Sequence, residues 1–178
     1  VEQRRRDGAF FTDSSLAERA VSALAGELST NSVVTDPACG GGDLLLASAK
    51  HLPRKSGLEE TLHSWGEILQ GTDIHAAFVR SAKLRLILQA LALGTERTRI
   101  RRENAVEFFP RIHIANGLKE CDQLKASTHI VTNPPFSMVS SPTDCQWTSG
   151  TVNCAAVFLE FITSTIEPGT RVLAILPE

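Results

Sequence analysis

The sequence predicts an α/β fold built around one parallel sheet, and three observations predict it. Short apolar runs alternate with longer helical patterns: "SVVT", "EILQGTD", "RTRIRREN", "HIVT" and "TRVLAILP" read as strands, with helices between most of them. Such alternation implies right-handed crossovers between parallel neighbours. The unusual short motifs all follow strands: "DPACGGGD" the first, "TDIH" the second, "EN" the third and "NPPF" the fourth. Ligands of open parallel sheets sit beyond the carboxyl ends of the strands, so these motifs are expected to share one site. Finally, 178 residues with a 42% hydrophobic and 21% charged composition suit one globular domain with a sizeable core.

The elements follow in order. A polar, arginine-rich lead runs into "GAFFTD". In "SSLAERAVSALAGEL", Leu16, Ala20, Leu24 and Leu28 recur every four residues, an amphipathic helix capped by Asp13 or Ser14. After the glycine turn, "LLLASAKHL" predicts a helix stopped by Pro53, and residues 53–66 predict a surface excursion. Residues 76–93 predict a long apolar helix closed by Gly94. The third strand, within 97–104, is less apolar, and a short helix near 117–126 precedes the fourth. Residues 138–152, rich in Ser and Thr, predict a mobile loop; "NCAAVFLEFITSTI" predicts a helix and "EPG" a turn.

Composition narrows the function. A net charge of −2 argues against a strongly basic nucleic-acid binder, although a local basic patch is compatible with it. The four cysteines form no C-x-x-C pair and no histidine pair at metal spacing accompanies them, so neither a metal site nor a disulfide framework is expected. A reducing cytoplasm is the expected compartment. No apolar run reaches membrane-spanning length, so no membrane partner is expected. The sequence starts without methionine and stops directly after an apolar strand, as expected of a piece of a longer protein.

The motifs carry the chemistry. Three glycines between strand and helix permit tight geometry and close ligand approach. Neither G-x-x-x-x-G-K-[ST] nor G-x-G-x-x-G is present, since Leu45 holds the third glycine position of the latter. Asp36 at the same turn would repel a pyrophosphate, so a ligand with a cationic or hydroxylated part fits better. Asp73 can accept both hydroxyls of a ribose, with Ile74 as an apolar face for a base; the alternative is a helix cap. Asn104 can bond a purine edge through its amide or simply serve a turn. His75 reads as structural, Arg97, Arg99, Arg101 and Arg102 as a solvated face. Trp147 either covers a substrate or packs on the surface. "NPPF" is the oddest motif. Two prolines end a core strand abruptly and hold Asn133 in extended geometry, aiming its side chain in one direction.

Together "GAFFTD" (8–13), "DPACGGGDLL" (36–45), "GTDIH" (71–75), "NPPF" (133–136) and "FLEFITSTIEPGTRVLAILPE" (158–178) resemble the S-adenosylmethionine-dependent methyltransferases, and among them the DNA adenine amino-methyltransferases of the gamma group. The resemblance implies a Rossmann-like class I methyltransferase sheet of parallel order 3-2-1-4-5. It assigns residues 1–30 to a lead and helix completing the cofactor pocket, and 31–178 to the catalytic core. It implies that the sheet's terminal strands and a target-recognition domain or subunit, the route to DNA, lie outside this chain, within a restriction–modification setting.

The resemblance also implies roles. Phe11 and Thr12 would line the pocket of the methionine carboxylate of S-adenosylmethionine, and Asp36, Ala38 and Gly40 would surround its methionine portion. Asp73 would hold the ribose, and Ile74 and Asn104 the adenine. Asn133, Pro134, Pro135 and Phe136 would be catalytic. The Asn133 side-chain oxygen and the Pro134 carbonyl would accept hydrogen bonds from both protons of the target amino group, and Phe136 would stack on a base flipped from the duplex. Three positions depart from the family pattern: Asp13 where proline is usual, Asn104 where aspartate is common, and Thr128-His129 where an acid often stands. Related motifs serve methyltransferases acting on guanine amino groups in RNA and on protein glutamine. A non-catalytic cofactor-binding subunit is the remaining alternative, although it would not need all four residues of "NPPF".

Overall fold

The computed structural model describes residues 12–95, 107–143 and 145–176. Seven strands are present among them: β1 (Val34–Asp36), β2 (Leu69–Asp73), β3 (Ile112–Ile114), β4 (His129–Thr132), β5 (Met138–Ser140), β6 (Thr151–Asn153) and β7 (Arg171–Ala174). Six α-helices accompany them: α1 (Ser14–Ser22), α2 (Asp43–Ala49), α3 (Leu58–Ile68), α4 (Ala76–Ala92), α5 (Cys121–Lys125) and α6 (Cys154–Thr165).

Five strands form the main sheet in the order β3-β2-β1-β4-β7, all parallel. This is the 3-2-1-4-5 order expected. The register pairs Thr35 with Gln70 on one side of β1 and with Ile130 on the other. β1 and β4 are buried along their whole length, as central parallel strands must be when helices cover both faces. Successive residues of a strand point to opposite faces, and β4 shows it. Val131 belongs to the large core with Leu45, Leu62, Trp65 and Leu86, whereas Ile130 packs with Leu124 and Ile162 on the other side.

Four expectations need correction. Residues 53–66 are not a surface excursion, because they contain most of α3, whose Leu58, Leu62 and Trp65 are buried at helical spacing. The Trp65 indole N–H donates to the Pro53 carbonyl at 3.2 Å, and a Cβ on Gly66 would lie 1.8 Å from the Phe108 carbonyl oxygen. In α1 the core face is Ala17 and Val21, and Leu16 is 43% exposed. The helix ends at Ser22, so Leu24 and Leu28 reach the core from the turns beyond it. Asp13 does cap it, accepting from the Ser15 amide at 2.9 Å.

The third sheet position belongs to Ile112–Ile114 and not to 97–104. The latter stretch, with Asn104, lies outside the described residues, as does Phe11. Residues 138–152 are not a plain loop: β5 and β6 pair as an antiparallel hairpin, Met138 opposite Asn153 and Ser140 opposite Thr151.

Candidate active site

The carboxyl ends of β1 to β4 open onto a cavity of about 300 Å³, at the lower end of the roughly 300–1,000 Å³ usual for small-molecule sites. Pro37, Ala38 and Gly40 reach it from β1, Asp73, Ile74 and His75 from β2, Asn116 to Leu118 from β3, and Asn133 and Pro135 from β4. Phe78, Cys154 and Phe158 complete the wall. A recess of about 20 Å³ lies against the glycine turn, lined by Thr12, Asp36, Cys39 and Asp43, and it shares Ala38, Gly40 and Asn133 with the cavity.

The glycine turn is shaped by its neighbours. The Cys39 amide donates to the Thr72 carbonyl at 2.8 Å, and the Thr72 hydroxyl returns a bond to the Pro37 carbonyl at 3.0 Å. Gly42 has φ +86°, and a Cβ there would meet the Ala82 methyl at 2.8 Å. Gly40, at φ +50°, faces open space. Arg85 donates to the Gly41 carbonyl and the Asp43 carboxylate, both at 2.6 Å. Asp73 joins two motifs, because its carboxylate accepts from the Gly40 amide at 3.1 Å and from the His75 amide at 2.7 Å. Ile74 beside it is 64% exposed, a bare apolar surface at the cavity. His75 packs edge-on against Phe78 at the start of α4.

Asp36 is 2% exposed. Burial pushes its carboxyl up to about 8; the Ala38 amide, 3.1 Å away, opposes this, and the Asp73 and Asp43 carboxylates add to it. Below the ordinary value of 3.8 both folded and unfolded forms are protonated. Between there and about 8 the unfolded chain has released the proton and the folded one retains it, so stability falls as pH rises. Asp36→Asn removes this burden. The variant is expected to gain on the order of a few kcal/mol over the parent at neutral pH. Its advantage should grow between pH 4 and 8 and level off above; thermal melts across that range check it.

Asn133 sits where β4 ends. Its amide nitrogen donates to the Thr12 hydroxyl at 2.9 Å, while its Oδ1 is buried without a hydrogen-bond partner. Leaving such an acceptor unmade costs about 1–3 kcal/mol. Pro134 is buried beneath it and Pro135 faces the cavity. Phe136 is half-buried between two cavity residues, and its carbonyl accepts from the Asn153 side chain at 3.3 Å.

The structure thus brings Thr12, Asp36, Ala38, Gly40, Asp73, Ile74, Asn133 and Pro135 to one place. One residue that sequence reasoning missed is Asn116. β3 ends at Ile114, so the asparagine following that strand is Asn116, whose side chain accepts from the Leu118 amide at 3.1 Å. Gly117 lets this turn press onto the glycine turn, since a Cβ there would lie 1.9 Å from the Pro37 carbonyl oxygen. The Asn-Gly pair after "IHI" is a turn signal that could have located it. Phe78, Cys154 and Phe158 carry no such signal.

Comparison with known proteins places this geometry. The M protein of the type I restriction enzyme EcoKI has a similar structure: TM-score 0.61 at 20% identity, over 96% of this chain and 34% of that one. A chain from a type I R-M system assembly gives 0.64 at 20% identity, over 96% and 33%. The type IIG restriction endonuclease BpuSI gives 0.60 at 18% identity, over 99% and 20%. At these identities the likeness shows the fold, that of class I methyltransferases. The chain spans about a third of the length of the first two proteins and a fifth of the third. No curated protein matches the sequence. The N-6 DNA Methylase family matches residues 1–177, nearly the whole sequence, and the chain therefore belongs to that family.

Proposed function

We propose that this chain is the catalytic core of an S-adenosylmethionine-dependent methyltransferase acting on the exocyclic amino group of adenine in DNA. The observation that carries the reading is the buried, unpartnered Oδ1 of Asn133, an acceptor held beside the cavity with its own amide fixed by Thr12. An amino N–H is the group such an acceptor lacks.

The residues present fit that cofactor. Gly40 lines the cavity with open space where a side chain would stand, Ile74 offers a bare face for a purine, and Asp73 acceptors for ribose hydroxyls. Asn116 takes the adenine-edge role first given to Asn104, because it follows the third strand. Thr12 and Asp36, with Phe11 just before in sequence, would hold the methionine part, and the buried Asp36 carboxyl would give up its proton on meeting the cationic amino group there. When bound, the cofactor supplies a methyl group on a positively charged sulfur.

The protein's task is orientation. The lone pair of adenine's amino nitrogen is delocalised into the ring. Asn133 Oδ1 and the Pro134 carbonyl would accept hydrogen bonds from its two N–H groups, which localises the lone pair and stabilises the positive charge that develops there. The two prolines keep both acceptors in place, so little reorganisation accompanies the reaction. Phe136 stacks on the base once it has left the duplex. DNA is read through a separate domain or subunit, and the enzyme works in the cytoplasm.

The test uses the full native protein, methyl-labelled S-adenosylmethionine and DNA lacking adenine methylation, followed by nucleoside analysis. Label in N6-methyladenine is the expected result. Label in RNA guanine or in protein glutamine would replace the DNA reading, and cofactor binding without transfer to any of these would leave only a binding function.

A further inference from the structure

We propose that the β5–β6 hairpin is a base-contacting arm of this site and that Trp147 supports the duplex where the target adenine has left it; this rests on the adenine reading above. The hairpin is rooted in the cavity wall. Ser137, directly before β5, and Cys154, directly after β6, both line the cavity, and the Cys154 amide donates to the Ser137 carbonyl at 2.8 Å. Asn153 ties this root to the catalytic motif. Its side-chain nitrogen donates to the Phe136 carbonyl at 3.3 Å, and its oxygen accepts from the Ala155 amide at 2.9 Å, capping α6. The arm therefore begins two residues beyond Phe136 and keeps a fixed relation to it.

The arm's chemistry selects its partner. Residues 138–153 include no Lys or Arg and one charged residue, Asp144, so phosphate attraction cannot hold DNA against it. What it presents instead is apolar: Met138 is 62% exposed and Trp147 49% exposed, on an otherwise Ser- and Thr-rich surface. The connection carrying Trp147 is closed at its base by the Ser141 amide and hydroxyl, both bonded to the Gly150 carbonyl at 2.9 Å. An arm without a cation but with an exposed indole, beside a site for an extruded base, matches the apolar side chains that occupy opened base steps, and stacking on a base face needs no charge.

The experiment compares the full native protein with Trp147→Ala and Trp147→Phe on two duplexes bearing its recognition sequence. In one the target adenine is paired; in the other it faces an abasic position, so that extrusion is already half accomplished. Trp147→Ala should lose roughly 10- to 100-fold in kcat/KM on the paired duplex and much less on the other. Trp147→Phe should retain most activity, and the Kd for S-adenosylmethionine should be unchanged in both. An equal loss on both duplexes, or none, overturns the proposal. So does a loss that tracks failure to assemble with a partner subunit in sedimentation, which would make the arm a protein interface. If the parent protein transfers no methyl group to any DNA, the adenine reading falls and the arm with it. An active parent indifferent to Trp147 sinks the arm alone.

Discussion

Asn133→Ala should lower methyl transfer by about 10²- to 10³-fold, the loss typical when a preorganised group facing developing charge is removed, while S-adenosylmethionine still binds. Two separate jobs make this the largest catalytic effect expected. The Oδ1 acceptor disappears, and with it the localisation of the amino lone pair. The amide that anchors to the Thr12 hydroxyl at 2.9 Å disappears as well. Asn133→Asp restores the acceptor shape but adds a carboxylate to a recess that already holds Asp36 and Asp43. That variant should recover part of the activity, best where the new carboxyl is protonated. Single-turnover rates beside cofactor titrations separate the chemical loss from any loss of binding.

A large structural effect, of the kind also expected at Gly66, is expected from Gly117→Ala at the site itself. The methyl group would lie 1.9 Å from the Pro37 carbonyl oxygen and 2.8 Å from its carbon. Both sides of that overlap are backbone, so no side chain can swing away. Overpacking typically costs about 1–3 kcal/mol, and a clash between two turns belongs at or above the top of that range. For a chain of this size each kcal/mol is about 2–4 °C in Tm, so a fall of about 6 °C or more is expected in a thermal melt. Separation of the two turns also moves Asn116 away from the glycine turn, and cofactor affinity should fall in the protein that remains folded. Gly94→Ala is the comparison, since its Cβ meets nothing within 4 Å and only its φ of +87° opposes the change.

The parallel sheet was legible in the sequence because its strands advertise themselves as short apolar runs between helices, whereas their order was implied only by the family resemblance. Misleading composition hid the other elements. "RTRIRREN" alternates like a strand, while the strand that fills the third position is only Ile112–Ile114, preceded by Pro110 and followed by Asn116-Gly117. α3 was masked by Pro53, Ser56 and Gly57, turn residues that stand before a helix whose apolar spacing begins only at Leu58. The site divides in the same way. Asp36, Asp73 and Asn133 could be read because each stands in a short motif directly after a strand. Phe78, Cys154 and Phe158 join the cavity through the packing of α4 and α6, which no local pattern records. The hairpin was concealed by its serines and threonines, although Val139 and Val152 face each other across it.

The most direct test of the central claim is a map of methyladenine in a host lacking adenine methylation, made with the full native gene and with its Asn133→Ala variant. Methyladenine in one sequence context is expected with the parent and only a small residue of it with the variant, both proteins binding S-adenosylmethionine. Methylation in the variant at the parent's level, or a parent that binds the cofactor and leaves DNA, RNA and protein unmodified, would contradict that expectation.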